Sequence, residues 1–216
     1  MTDILFSHDM WHLILGGLRT TIIIFVFAAI FAILLGAALS YLKITQKCSW
    51  LFAPLNWFVK TIHDVPAVAL MMFFYYVIFG GELNGILVSI IALGVYTSGT
   101  LVKLFSVHIL NIDKGQIEAG LSLGMTSRQC YRHIVLPQAI RSMLPLFSGE
   151  LKVLLRCTSY AGYIAQKDLI KSVDAIRQLH YDTFLPLIIV SIMYLILSWL
   201  ITALIDYLYK KLFKHD

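Results

Sequence analysis

Residues 116–140 read QIEAGLSLGMTSRQCYRHIVLPQAI, the longest fairly polar run in a very apolar chain. The run reads as two short helices with a turn. Glu118 to Leu123 is long enough for about two helical turns. Gly124 takes a positive φ at no steric cost and ends the first helix. Thr126 or Ser127 is suited to cap a second helix. Pro137 fits the first turn of the apolar helix that follows, where its missing N–H costs nothing. Ala119, Gly120 and Gly124 leave one face almost bare of side chains, with Glu118 beside it. Such a face suits insertion into a groove on another protein. A plain surface loop rich in small residues reads equally well from these residues alone.

The surroundings of this run are membrane-like. The chain has 216 residues, of which 59% are hydrophobic and 13% charged, and its mean hydropathy is +0.82. Soluble domains carry roughly a quarter charged residues. A hydrocarbon core of about 30 Å takes about 20 apolar residues per helix. Five spans are expected, at approximately residues 13–42, 51–79, 83–108, 134–164 and 184–209, with the polar segment 113–133 between the third and fourth. Helices are the default, because an open strand edge has no partners in lipid. The whole chain, 1–216, then forms a single membrane domain with short loops and no separate soluble part. Met1–Met10 lacks the basic start of a cleavable signal, and the apolar run after it is too long for one.

Lys and Arg set the orientation. With the N-terminus outside, Lys43, Lys47, Lys60, Lys103, Lys114, Arg128, Arg132, Lys210, Lys211 and Lys214 fall inside. Only Lys167, Lys171 and Arg177 fall outside. The C-terminus and the 113–133 segment are therefore expected in the cytoplasm. The net charge of +5 is explained by topology and gives no reason to invoke nucleic acid. Cys48, Cys130 and Cys157 show no metal-ligand spacing and are expected to be reduced.

The spacing in the polar run resembles the EAA motif of ATP-binding-cassette (ABC) importer permeases: Glu-Ala-Ala, three residues, Gly, nine residues, Ile, one residue, Leu-Pro. Here these are Glu118-Ala119-Gly120, Gly124, Ile134 and Leu136-Pro137, with Gly120 as the single departure. The stretch from Gly115 to Pro145 and the C-terminal part from Leu154 onward are similar to the polar amino acid branch of that family. There a Lys-x-Thr-Ser-Leu pattern is met by Arg156-Cys157-Thr158-Ser159-Tyr160. Gly17 and Thr21 match the branch's Gly-x-x-x-Thr opening. The front half departs. His63-Asp64-Val65-Pro66 stands for Arg-Gly-Thr-Pro, Leu70 for a Gln, and Lys103 and Ser106 for a Glu and an Arg.

The resemblance implies a type I ABC importer permease fold in the bacterial inner membrane, all α, with a cytoplasmic coupling helix. Glu118, Ala119, Gly120, Gly124, Met125 and Thr126 would then meet an ATPase subunit. It implies two such ATPases, a second permease copy or paralogue, and an extracytoplasmic binding protein that delivers a polar amino acid or another small polar solute. ATP and Mg would be bound by the ATPases, since the chain has no GxxxxGK[ST], and no cofactor would be bound by this chain.

Charges at membrane depth are costly and usually face an interior or a water-filled path. Lys152, Arg156, Ser159 and Tyr163 recur at helical spacing on one face of the fourth span. Arg156 suits a substrate carboxylate through its planar fork. Thr158 and Ser159 offer hydroxyls, and Glu150 suits an amino group or Lys152. A structural ion-pair network fits the same residues, and so does snorkelling of the long side chains. Asp64 reads either as a gate or as part of an interfacial cluster with Lys60 and His63. His8 and His12 have metal-like spacing but read as a wet interfacial turn. An intramembrane enzyme finds no HExxH or GxSxG here. A stand-alone channel or secondary transporter would show two repeated halves with broken helices, and no repeat is visible.

Overall fold

The computed structural model describes residues 8–45, Pro54, Trp57, Thr61, 64–180 and 184–213. All of its regular structure is helical. Helix α1 spans His8–Thr45. Helix α2 spans Ala67–Met72 and continues as a π-helical turn over Phe73–Ile78. Helix α3 is Gly85–Leu110, started by Asn84, whose side chain accepts from the Ile86 N–H at 2.9 Å. Two short helices follow, α4 (Lys114–Ser122) and α5 (Ser127–Cys130), the second running into a π turn over Tyr131–Val135. Helix α6 is Leu136–Cys157 and tightens to a 3₁₀ stretch over Thr158–Ile164. Helix α7 is Leu169–His180 and α8 is Phe184–Leu212.

Three of these, α1, α3 and α8, are long and apolar enough to cross a membrane. Two expected spans differ from that pattern. The second, expected over 51–79, lies largely outside the described residues up to His63, and its described part is a short apolar helix, Ala67–Ile78. Pro66 is extended at ψ 131°. It lacks an N–H and disfavours helical geometry at Val65, so a helix has to restart after it. Lys60 and His63 lie outside the described residues, as does their expected pairing with Asp64. The fourth span, expected over 134–164, is helical throughout but changes type twice, and its charged face keeps it out of the clearly apolar set.

Helices α1 and α3 run parallel. Ile24 and Ala28 share a cluster with Val88, Ala92 and Leu93, and Ala32 packs with Leu101 and Phe105. Further along, the Ser40 hydroxyl donates to the Val102 carbonyl. Helix α6 runs antiparallel to α3: His108 meets Ser142 at 2.9 Å, Phe105 faces Phe147, and Leu154 and Cys157 join the Leu93 cluster. Helix α8 returns along α6, so that the Arg141 guanidinium lies 5.7 Å from the centre of the Phe213 ring. The C-terminal ends of α1, α3 and α8 therefore lie at one end of the bundle, together with α4 and α5. Lys43, Lys103, Lys210 and Lys211 belong to those ends.

The opposite end carries a helix between the fourth and fifth expected spans. Helix α7 buries Leu169, Val173 and Ile176 against Met10, Ile14 and Val190. Asp168 caps it, its Oδ1 accepting from the Lys171 N–H at 2.8 Å.

Candidate functional site

Helix α4 starts about a turn before the expected Glu118, because the Asp113 carboxylate accepts from the Gly115 N–H at 2.9 Å and satisfies an otherwise orphan donor. It ends in a Schellman turn. Gly124 sits at φ +81°, its N–H donating to Leu121 O, and the Met125 N–H donates to Gly120 O. Thr126 then opens α5 with a capping box. Its Oγ1 accepts from the Gln129 N–H, and the Gln129 side-chain oxygen accepts from the Thr126 N–H at 2.7 Å.

The small residues of this segment do not share one bare outer face. Gly120 is buried, and a Cβ on it would come within 2.9 Å of both Cys130 Sγ and Ile134 Cδ1. Its smallness lets α4 lie against α5 and the π turn. Gln116, one turn earlier on the same face, is tied to Gln138 at 2.6 Å. Glu118, Ala119, Leu121, Ser122, Leu123, Gly124 and Thr126 are exposed, and Met125 is half-buried. Leu123 is 85% exposed and Leu121 45%. Two exposed leucines and a glutamate thus stand on a turn held by its own hydrogen bonds. The sequence signal for these leucines is the apolar–polar alternation LSL (Leu121–Leu123).

The residues expected along the fourth span are divided between places. Glu150, Lys152 and Arg156 line one open cleft of about 590 Å³ with Pro145, Leu146, Gly149, Val153 and, from α8, Ser198. Among the described residues no ion pair joins Glu150 to Lys152 or Arg156; the ion pairs found are Lys171–Asp174 and Arg177–Asp174. Ser159 donates to the Arg156 carbonyl and lines a different cavity of about 230 Å³, with Gly162, Tyr163, Asp168 and Lys171. Thr158 is fully buried and donates to the Leu155 carbonyl at 2.7 Å, so its hydroxyl is turned away from the cleft. Asp64 is exposed and lines neither space. Among the described residues no cluster of His, Cys, Asp and Glu is arranged to hold a metal ion.

A second constellation sits at the α7 end. A Cβ on Gly17 would fall 2.3 Å from Ser172 Oγ and 2.6 Å from the Asp168 carbonyl oxygen. The Ser172 hydroxyl reaches Leu13 O at 2.9 Å, and the Leu169 N–H donates to Thr21 Oγ1 at 3.1 Å. The Gly-x-x-x-Thr pair of α1 is thus the seat of α7. The Asp168 carboxyl is fully buried, its Oδ2 has no partner, and burial outweighs the backbone N–H bonds, raising its pKa to about 6.

Residues 32–214 match the family described as binding-protein-dependent transport system inner membrane component. The chain is 30% identical over 212 residues to the probable glutamine ABC transporter permease protein GlnM of Bacillus subtilis (strain 168), covering 95% of this chain and 96% of that protein. It is 26% identical over 212 residues to the glutamate/aspartate import permease protein GltK of Escherichia coli O6:H1, covering 92% of each. Its fold is similar to a chain in the crystal structure of an amino acid ABC transporter with histidines, at a TM-score of 0.82 and 24% identity, covering 92% of this chain and 94% of that one.

Proposed function

Because the chain belongs to the family of binding-protein-dependent transport system inner membrane components, we propose that it is half of a solute path driven by separate ATPases. It is a multi-pass inner membrane permease subunit of a bacterial ABC importer, a transport component rather than an enzyme. The finer reading is a single type I permease domain over residues 1–216, with the N-terminus outside and the C-terminus in the cytoplasm. About five crossings make up this domain, with α2 and α6 as the second and fourth. The parallel course of α1, α3 and α8, with lysines gathered at one shared end, supports this orientation. That end carries α4 and α5.

The observation that carries the reading is the α4–α5 turn, which presents Glu118, Leu121 and Leu123 from a self-capped scaffold. Helix α4 is the coupling helix. Glu118, Ala119, Gly124 and Thr126 belong to its exposed side, while Gly120 and Met125 hold it in place from beneath. Two ATPases bind ATP and Mg, close, and push on two such helices, one from this chain and one from a second copy or paralogue. An extracytoplasmic binding protein supplies the solute. The relatives' names, glutamine and glutamate/aspartate permeases, favour a polar amino acid. A cleft bearing Glu150 together with Lys152 and Arg156 suits a zwitterion. Arg156 is the carboxylate partner in this reading, and Ser159 and Asp64 lie along the path away from that cleft.

The test is Glu118→Lys, which reverses the charge on the exposed face of α4 without touching its packing. Uptake should be lost and pull-down of the ATPase should fail, while the permease remains in the membrane. Normal pull-down and uptake would remove α4 as the docking site.

A further inference from the structure

The docked position of α4 depends on two attachments along one face. One is Gly120, which lies against Cys130 and Ile134. The other, a turn earlier, is the contact between Gln116 of α4 and Gln138 in the first turn of α6. Gln138 Nε2 sits 2.6 Å from Gln116 Oε1 and 3.1 Å from the Ile134 carbonyl. A backbone carbonyl only accepts, so that end of the Gln138 amide is its N–H₂, and the Gln116 end facing it is the oxygen. One amide group thus bridges the first turn of α4, the π turn over Tyr131–Val135, and the first turn of α6.

A helix pinned at one point pivots when pushed. Pinned at two points on one face, it carries the push to the element behind it. That element is α6, which lines the Glu150, Lys152 and Arg156 cleft. Helix α6 is also tied to the end of α3 through His108 and Ser142. We propose that Gln116 and Gln138 form a transmission strut: they are positioning residues that convert movement of α4 into movement of α6, and they contribute little to holding the ATPase. The proposal rests on the reading of α4 as the coupling helix.

The strut is tested in the full transporter, reconstituted with its ATPase and binding protein, by measuring solute moved per ATP hydrolysed. Gln138→Leu keeps the size of the side chain and removes the donor. Gln116→Leu removes the acceptor on an exposed position of α4. Each should lower solute per ATP by about two- to tenfold, the range that one neutral hydrogen bond spans, with the amount of ATPase pulled down unchanged. The double variant should be no worse than either single one. Gln138→Glu should recover part of the ratio, because the Gln116 amide can turn its N–H₂ toward the carboxylate. Unchanged solute per ATP in both single variants would overturn the strut, as would additive losses in the double variant or loss of ATPase pull-down. Failure of the docking reading itself shows separately, as intact ATPase binding in Glu118→Lys.

Discussion

Helices α4 and α7 are both short, both capped by an aspartate, and lie at opposite ends of the bundle. They are held in different ways. Helix α7 buries Leu169, Val173 and Ile176, each about 1.5–3 kcal/mol better buried than exposed. Hydrogen bonds to Thr21 and Leu13 then fix its register on α1. Helix α4 has one buried residue, Gly120, and turns two leucines outward. Helix α7 is a clamp within the chain, whereas α4 is the helix proposed to meet a partner.

That contrast breaks first at Gly17. Gly17→Val puts a Cβ 2.6 Å from a backbone carbonyl oxygen, which cannot rotate away. The expected loss is about 3 kcal/mol, at the upper end for overpacking. It should appear as a lower melting temperature and less folded protein in detergent, whether or not the ATPase is present. Gly120→Val presses at 2.9 Å on the ends of the Cys130 and Ile134 side chains, which have some room to give. The loss should be smaller, about 1–2 kcal/mol, and ATPase pull-down should fall more steeply than thermal stability. Equal sensitivity of both readouts to the two changes would erase the distinction between clamp and docking surface.

A finer test uses Asp168. Its Oδ1 accepts from the Lys171 N–H, so Asp168→Ala should cost about 1 kcal/mol of α7 stability through loss of the cap. Burial pushes the Asp168 carboxyl up to about 6 in the fold, from an ordinary value of 3.8. A raised folded pKa means that the folded chain binds the proton more tightly than the unfolded one. The contribution is therefore fully present below about pH 4 and is lost as pH rises through 6. Hydrogen exchange of the α7 amides should show stronger protection at pH 5 than at pH 7, after correction for intrinsic rates. Asp168→Asn, which keeps an accepting oxygen and no charge, should flatten that dependence. The α4 amides should show no such trend in either protein.

Much of the fold is legible in the sequence, and the reasons are physical. The apolar runs of α1, α3 and α8 exceed the membrane thickness, so length alone identifies them. Gly124, Thr126 and Pro137 each belong to a local rule for ending, capping or starting a helix. What escapes is decided by contacts distant in the chain. Helix α7 has the amphipathic spacing of Leu169, Val173 and Ile176 but not the length or apolarity of a span, and its seat on Gly17 and Thr21 lies about 150 residues away. The burial of Gly120 depends on Cys130 and Ile134, so the sequence shows a small residue without showing which way it faces. Lys152, Arg156 and Ser159 share helical spacing, yet Ser159 lines a separate cavity with Asp168 and Lys171 of the following segment, a neighbour that the spacing does not reveal.

The proposed docking surface is tested most directly by a cysteine at Leu123, the most exposed large apolar side chain among the described residues, paired with one at Arg177 on α7. In whole cells, the Leu123→Cys variant should crosslink to the ATPase subunit and resist an impermeant thiol reagent applied from outside. Arg177→Cys should react with that reagent and form no ATPase crosslink. Labelling of Leu123→Cys from outside, or an ATPase crosslink at Arg177→Cys instead, would contradict both the orientation and the role of α4.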